Sequence, residues 1–184
     1  MHRWLALVEQ FDNENLRPIP EPLSGIRYTF QELSDNGISI VRRIKAFNGT
    51  DTYIYILKRS IPYLIENEVA FLNVMQSSGY VPRFDRYDKY TLRIEDLGQS
   101  EPVTNWSIFR DHCAKLLHAL SSRSVRHGDI TEQAVIIRNN KPYLIDFAES
   151  RWKYDSAPDK QGKTDETLMG ELVHRLVARA TTSA

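Results

Sequence analysis

The chain has 184 residues, enough for one core or two small lobes, and its 41% apolar and 26% charged content is ordinary for a globular protein. Its 24 Lys and Arg balance 24 Asp and Glu with no dense basic run, which argues against a general binder of nucleic acid or of a membrane surface. A single cysteine, Cys113, excludes an internal disulfide and fits a reducing, cytoplasmic or otherwise intracellular compartment; no apolar run reaches the ~18–20 residues of a membrane span, and Glu9, Asp12 and Glu14 are out of place in a signal peptide.

In chain order, Trp4, Leu5, Leu7, Val8 and Phe11 predict a short amphipathic helix, and Pro18, Pro20 and Pro22 an extended lead-in. Ile26 to Leu33 is rich in aromatic and β-branched residues, and Ser34-Asp35-Asn36-Gly37 follows as a hairpin turn. Ile38 to Phe47 is a second strand and Asn48-Gly49 a second turn. Thr52 to Lys58 then alternates Tyr53, Tyr55 and Leu57 against Ile54, Ile56 and Lys58, so three strands form an antiparallel meander.

From Ile61 to Ser77 the spacing of Ile61, Leu64, Ile65, Leu72 and Met75 predicts a helix, with Pro62 in its first turn and Gly79 as its stop. Tyr80 to Tyr90 and Thr91 to Glu95 predict two further strands, completing a five-stranded sheet. Trp106, Phe109, Cys113, Leu116, Leu117 and Leu120 mark a buried helix. Ala134 to Arg138 and Pro142 to Phe147 are short strands around an Asn139-Asn140 turn. Glu149 to Lys163 is polar and reads as an exposed loop, and Leu168, Leu172 and Leu176 mark a last helix.

Two segments carry the chemistry: His127-Gly128-Asp129-Ile130-Thr131-Glu132-Gln133-Ala134-Val135-Ile136, and Tyr143-Leu144-Ile145-Asp146-Phe147-Ala148. Each sets an aspartate beside an apolar strand. A hairpin between them brings Asp129 and Asp146 to one edge, where one carboxylate can take a hydroxyl proton and the other can hold Mg²⁺ on a nucleotide phosphate.

These segments resemble the catalytic loop and the metal-binding motif of the protein-kinase-like superfamily, with Ala148 where glycine is usual. The His-Gly-Asp form is similar to that of aminoglycoside phosphotransferases. The Asp-Ile-Thr-Glu run is similar to RIO-type kinases and the small kinase of the KEOPS complex. The resemblance runs in order from Ile26 to Arg179. It implies an α+β, two-lobe kinase-like fold: a five-stranded antiparallel sheet with one helix, then a truncated, mostly helical C-lobe. The chain 1–184 then reads as a single domain, with 1–25 a lead-in, 26–95 the N-lobe, 96–102 the hinge and 103–184 a minimal C-lobe.

The resemblance also implies roles. Asp129 is the catalytic base and Asp146 the metal ligand. Lys58, ending Tyr55-Ile56-Leu57-Lys58, grips the phosphates of ATP, and Glu95 to Gly98, with Glu95 and Leu97 foremost, meets adenine. Two glutamates compete to pair with Lys58. Glu68 lies on the helix face of Leu64, Ile65, Leu72 and Met75, whereas Glu66 points away, so periodicity selects Glu68. Asp165 resembles the aspartate that bonds the catalytic-loop backbone, with an ordinary acid at a helix N-terminus as the alternative. His127 reads as a packing and hydrogen-bonding residue.

Three positions depart from the pattern. Ala134 stands where the family has a metal-binding asparagine, with Glu132 and Gln133 as the nearby substitutes. Ser34-Asp35-Asn36-Gly37 replaces a glycine-rich phosphate loop. Gly128 replaces the arginine that answers a phosphorylated activation loop. Two readings follow. The first is an ATP- and Mg²⁺-dependent phosphotransferase acting on a hydroxyl acceptor, a small molecule or a non-standard protein substrate. The second is a pseudokinase serving as a nucleotide-binding or scaffold module.

Overall fold

A computed structural model of the chain describes residues 27–48, 51–155 and 162–182. The Trp4–Phe11 helix, the proline lead-in and Gly49 of the second turn lie outside them. Two compact units emerge. One runs from the first strand to Glu66 and includes Arg83–Asp96; the other takes Asn67–Pro82 and continues from Leu97.

The first unit holds an antiparallel sheet of β1 (Arg27–Asp35), β2 (Ser39–Asn48), β3 (Asp51–Ser60), β4 (Phe84–Arg86) and β5 (Thr91–Glu95), in the spatial order β1-β2-β3-β5-β4. The first hairpin closes as its residues dictate. Asp35 Oδ1 accepts from Gly37 N, Asn36 Oδ1 accepts from the amides of Ile38 and Ser39, and Gly37 takes φ 77°. The register puts Ile44, Ala46 and Leu57 on one face of the sheet and Leu92 and Ile94 on the other, and all five are buried.

The expected strand from Tyr80 to Tyr90 is reduced to the three residues of β4. Asp88 folds the chain back early. Its carboxylate accepts from Tyr90 N at 2.7 Å, and the amides of Tyr87 and Asp88 both donate to Thr91 O. Tyr80 and Val81 are buried in the second unit, where Tyr80 O accepts from Leu144 N at 2.8 Å.

Helix α1 (Pro62–Met75) passes through a 3₁₀ turn, Gln76–Ser78, and stops at Gly79 in the left-handed conformation, φ 70°. The second unit also contains α2 (Trp106–Ser122), β6 (Val125–Arg126), β7 (Val135–Arg138), β8 (Lys141–Leu144), β9 (Arg151–Trp152) and α3 (Asp165–Thr182). Asn105 caps α2 by accepting from Ile108 N, and Phe109, Cys113, Leu116 and Leu120 form its buried stripe. Asn139 and Asn140, both at positive φ, make the two-residue turn of β7–β8.

Two expectations fail in this unit. The polar loop from Glu149 contains a strand: Arg151 and Trp152 pair with Arg126 and Val125, and the Trp152 ring lies 4.9 Å from that of Phe71. A two-residue ladder is too short to leave a period in the sequence. The strand expected to run on to Phe147 ends at Leu144. Beyond it the backbone turns, and Asp146 adopts φ 64°.

Candidate active site

The site residues divide between the units. Lys58 and Glu95 belong to the first; Glu68, Leu97, Asp129 and Asp146 belong to the second.

In the first unit, Lys58 sits in β3, paired with Val41 on β2 and Leu92 on β5. A central strand fixes its backbone, and only 6% of the residue is exposed. Glu95 ends β5. Its amide donates to Arg83 O at 2.8 Å, and its carboxylate accepts from the amide and guanidinium of Arg83. Burial pushes the pKa of the Glu95 carboxyl up, but the Arg83 bonds outweigh that and hold it below the usual carboxylate value. The neighbouring Asp96 grips Arg43 through both oxygens, at 2.6 and 3.2 Å.

Glu68, in the second unit, is 1% exposed, whereas the side chain of Glu66, in the first, is 62% exposed and pairs with Arg86, the burial difference that helical periodicity predicts. Leu97 O accepts from the Arg138 guanidinium at 2.9 Å. Gly98, at φ 76°, lets that guanidinium approach: a Cβ there would meet Arg138 Nη1 at 3.0 Å.

The segments that carry Asp129 and Asp146 are held by three side chains. Asp165, 6% exposed, accepts from His127 N through Oδ2 at 2.9 Å and from Gly128 N through Oδ1 at 2.8 Å. It therefore anchors the loop backbone, as the resemblance implied. His127 is 2% exposed and lies edge-on to Phe147, ring centroids 4.8 Å apart. Its Nε2 lies 3.0 Å from Ile145 O, a pure acceptor, and its Nδ1 lies 3.4 Å from Asp129 N, a donor. The ring is thus neutral with its proton on Nε2. Burial drives its pKa below the ordinary value, against the opposing pull of Asp165, Asp146 and Asp129. One imidazole so ties the segment of Asp129 to that of Asp146. The third side chain, Asn67 of α1, donates to Ala148 O at 2.9 Å and Ser150 O at 3.0 Å, fixing the chain beyond Asp146.

Asp146 itself stands in left-handed backbone, which aspartate tolerates better than most residues. Such conformations persist where the surroundings over-determine them and are frequent at functional sites.

Of the two substitutes for Ala134, Glu132 supplies a metal ligand only after rearrangement. Ala134 is 5% exposed, and its carbonyl accepts from Ile145 N at 2.9 Å, so it serves the hairpin. Glu132 turns to α3, where it bonds Arg179 and lies 3.7 Å from Arg175. Among the described residues no group of three or more His, Cys, Asp or Glu is placed to hold a metal. The donor set still suits a Mg²⁺ that arrives on nucleotide phosphates, because that ion commonly takes one or two carboxylates and draws its other ligands from phosphate and water. Cys113 is no candidate nucleophile, since burial pushes its thiol up to about 12.

Sequence reasoning missed Asn67, Arg138, Arg175 and Arg179. Asn67 carried a faint signal in its place beside Glu68. The arginines carried none, since the partners Arg179 and Glu132 lie 47 residues apart.

No family model and no curated protein matches the chain. Among solved structures it is similar to the autoinhibited serine kinase domain of the giant muscle protein titin. The TM-score is 0.50 at 18% identity, over 68% of this chain and 46% of that one. The chain therefore spans less than half the length of that kinase domain. At this identity the likeness concerns the fold: α+β and kinase-like, with a truncated C-lobe. It does not single out the aminoglycoside phosphotransferase, RIO-type or KEOPS-type kinases. No helix among the described residues is long and apolar enough to cross a membrane.

Proposed function

We propose that the chain is an ATP-dependent phosphotransferase acting on a hydroxyl acceptor. The observation that carries this reading is the His127 bridge, which gathers Asp129 and Asp146 on one anchored loop system. Asp129 orients the acceptor hydroxyl and takes its proton. Asp146 holds Mg²⁺, which supplies charge neutralisation on the phosphates when bound. Lys58 contacts the phosphates and Glu68 positions Lys58. Backbone groups at Glu95 and Leu97 meet the base. Low exposure of Lys58 and Glu68 supports their assignment, since a buried charge needs compensation.

Thr131, two residues after Asp129 where the resemblance would place a lysine for peptide substrates, favours a small molecule or a non-standard protein over an ordinary kinase peptide. The His127-Gly128-Asp129 form supports a likeness to aminoglycoside phosphotransferases in particular.

A pseudokinase reading rests on one further observation: Ala134 is buried in the hairpin and Glu132 is engaged by arginines, which leaves Asp146 with little help. Transfer or hydrolysis of the ATP γ-phosphate decides between the two. Turnover that Asp146→Ala abolishes, and that Asp129→Asn lowers by about 10²–10⁴, is expected for the enzyme. Absence of turnover at high protein concentration, with ATP still raising Tm, would leave the scaffold.

A further inference from the structure

The second unit contains a cavity of about 490 Å³ walled by the connector of Ser100 to Trp106, by β7 and by the C-terminal half of α3. Its volume suits the body of a small organic molecule. Val103, Trp106, Val135, Ile137, Leu172 and Leu176 line it. Two acids, Glu101 and Glu132, also face it, and both already have partners. Glu101 bonds Arg138 at 3.1 Å and accepts from Asn139 N at 2.7 Å; Glu132 bonds Arg179 and lies near Arg175. With the charges matched on the protein, what the cavity offers is apolar and aromatic surface.

Glu132 and Val135 of the cavity wall belong to the chain that leaves Asp129. Glu132 lies three positions after Asp129, so their Cα atoms are no more than about 11 Å apart. A molecule seated beside Glu132 is thus within an arm of about 11 Å of the proposed base.

We infer that this cavity anchors the phosphate acceptor, and that the acceptor is an uncharged small molecule with an aryl or alicyclic body and a hydroxyl on an arm. The inference rests on the phosphotransferase reading. In the transfer, the acceptor oxygen forms a bond to the γ-phosphorus of ATP. The bond from that phosphorus to the β–γ bridging oxygen breaks, and its electron pair leaves with ADP. The hydroxyl proton passes to the Asp129 carboxylate.

Phenylhexanol serves as the probe for the full chain. Its binding is followed by saturation-transfer NMR without nucleotide, and its phosphorylation by product analysis with MgATP. Ala180→Trp fills the cavity from an exposed position of α3, and Val103→Glu charges its half-buried wall; the Tm of each reports folding. The expected result is binding and phosphorylation by the parent chain, both at least tenfold weaker in each variant, with the rise in Tm caused by ATP retained. Equal binding by all three chains overturns the inference, as does no binding by a parent chain that ATP stabilises. Cavity-dependent binding without phosphorylation, in a chain that slowly hydrolyses ATP, overturns the acceptor role. No effect of ATP on Tm and no hydrolysis is a separate failure: it removes the phosphotransferase reading and this assignment with it.

Discussion

The two units hold their chemically important residues by different means. The backbone of Lys58 is positioned by a β-ladder, held between two neighbouring strands. Asp129 and Asp146 stand outside regular structure and are positioned by Asp165, His127 and Asn67, whose polar atoms bind loop backbone at 2.8–3.4 Å. A ladder shares its burden over many bonds, so one substitution perturbs it little. A loop clamp concentrates it in a few buried bonds, each expensive to lose.

The sharpest way to break that contrast is Asp165→Ala. It strands the amides of His127 and Gly128, and unsatisfied buried groups cost about 1–3 kcal/mol each. Urea unfolding is expected to show a loss of roughly 2–5 kcal/mol. A loss below about 0.5 kcal/mol would mean that water or a rearranged loop replaces the clamp.

Lys58→Met tests the other side. ATP at a hundred times its Kd stabilises a folded binder by ~2.7 kcal/mol, which corresponds to roughly 5–11 °C in Tm for a chain of this size. The substitution is expected to remove most of that rise. An undiminished rise places the phosphates away from Lys58.

Asn67→Ala removes two bonds to carbonyls and is expected to lose about 1–2 kcal/mol. Hydrogen exchange is expected to quicken at 148–152 while β2 and β3 stay protected. Uniform loosening of both units would contradict the local character of the clamp.

The smallest effect is with pH. Burial lowers the folded pKa of His127 below its unfolded value, so below about 6.5 the unfolded chain binds the extra proton more readily. The stability contributed by neutral His127 is complete above that value and declines as pH falls from it towards the folded pKa. In NMR, the His127 ring is expected to show no protonation shift as pH passes through 6.5. A midpoint near 6.5 would refute a neutral, Nε2-protonated ring.

The contrast between ladder and clamp also explains what was legible in the sequence. Composition and turn residues read β1 and β2 and alternation read β3, while periodicity separated Glu68 from Glu66 on α1, because burial on a helix repeats with its own period. Asp129 and Asp146 were legible through their motifs. Asn67 bonding Ala148 and Ser150, Glu132 turning to Arg175 and Arg179, and Arg151–Trp152 pairing with Val125–Arg126 were not. They join distant positions through single contacts, and a single contact has no repeat. The early end of β8 was hidden because Ile145 and Phe147 are as apolar as strand residues, while the turn at Asp146 comes from the bonds of its neighbours.

The positive φ of Asp146 sets folding against chemistry. Glycine would occupy the same backbone without a Cβ penalty, and strain of this kind is worth on the order of 1 kcal/mol or more. Drift under selection for foldability alone therefore has a downhill path to glycine at this position, and that path discards the carboxylate. An aspartate there stands against that slope, and Asp146→Gly measures how steep it is: the rise in Tm of the variant is the stability that the carboxylate costs.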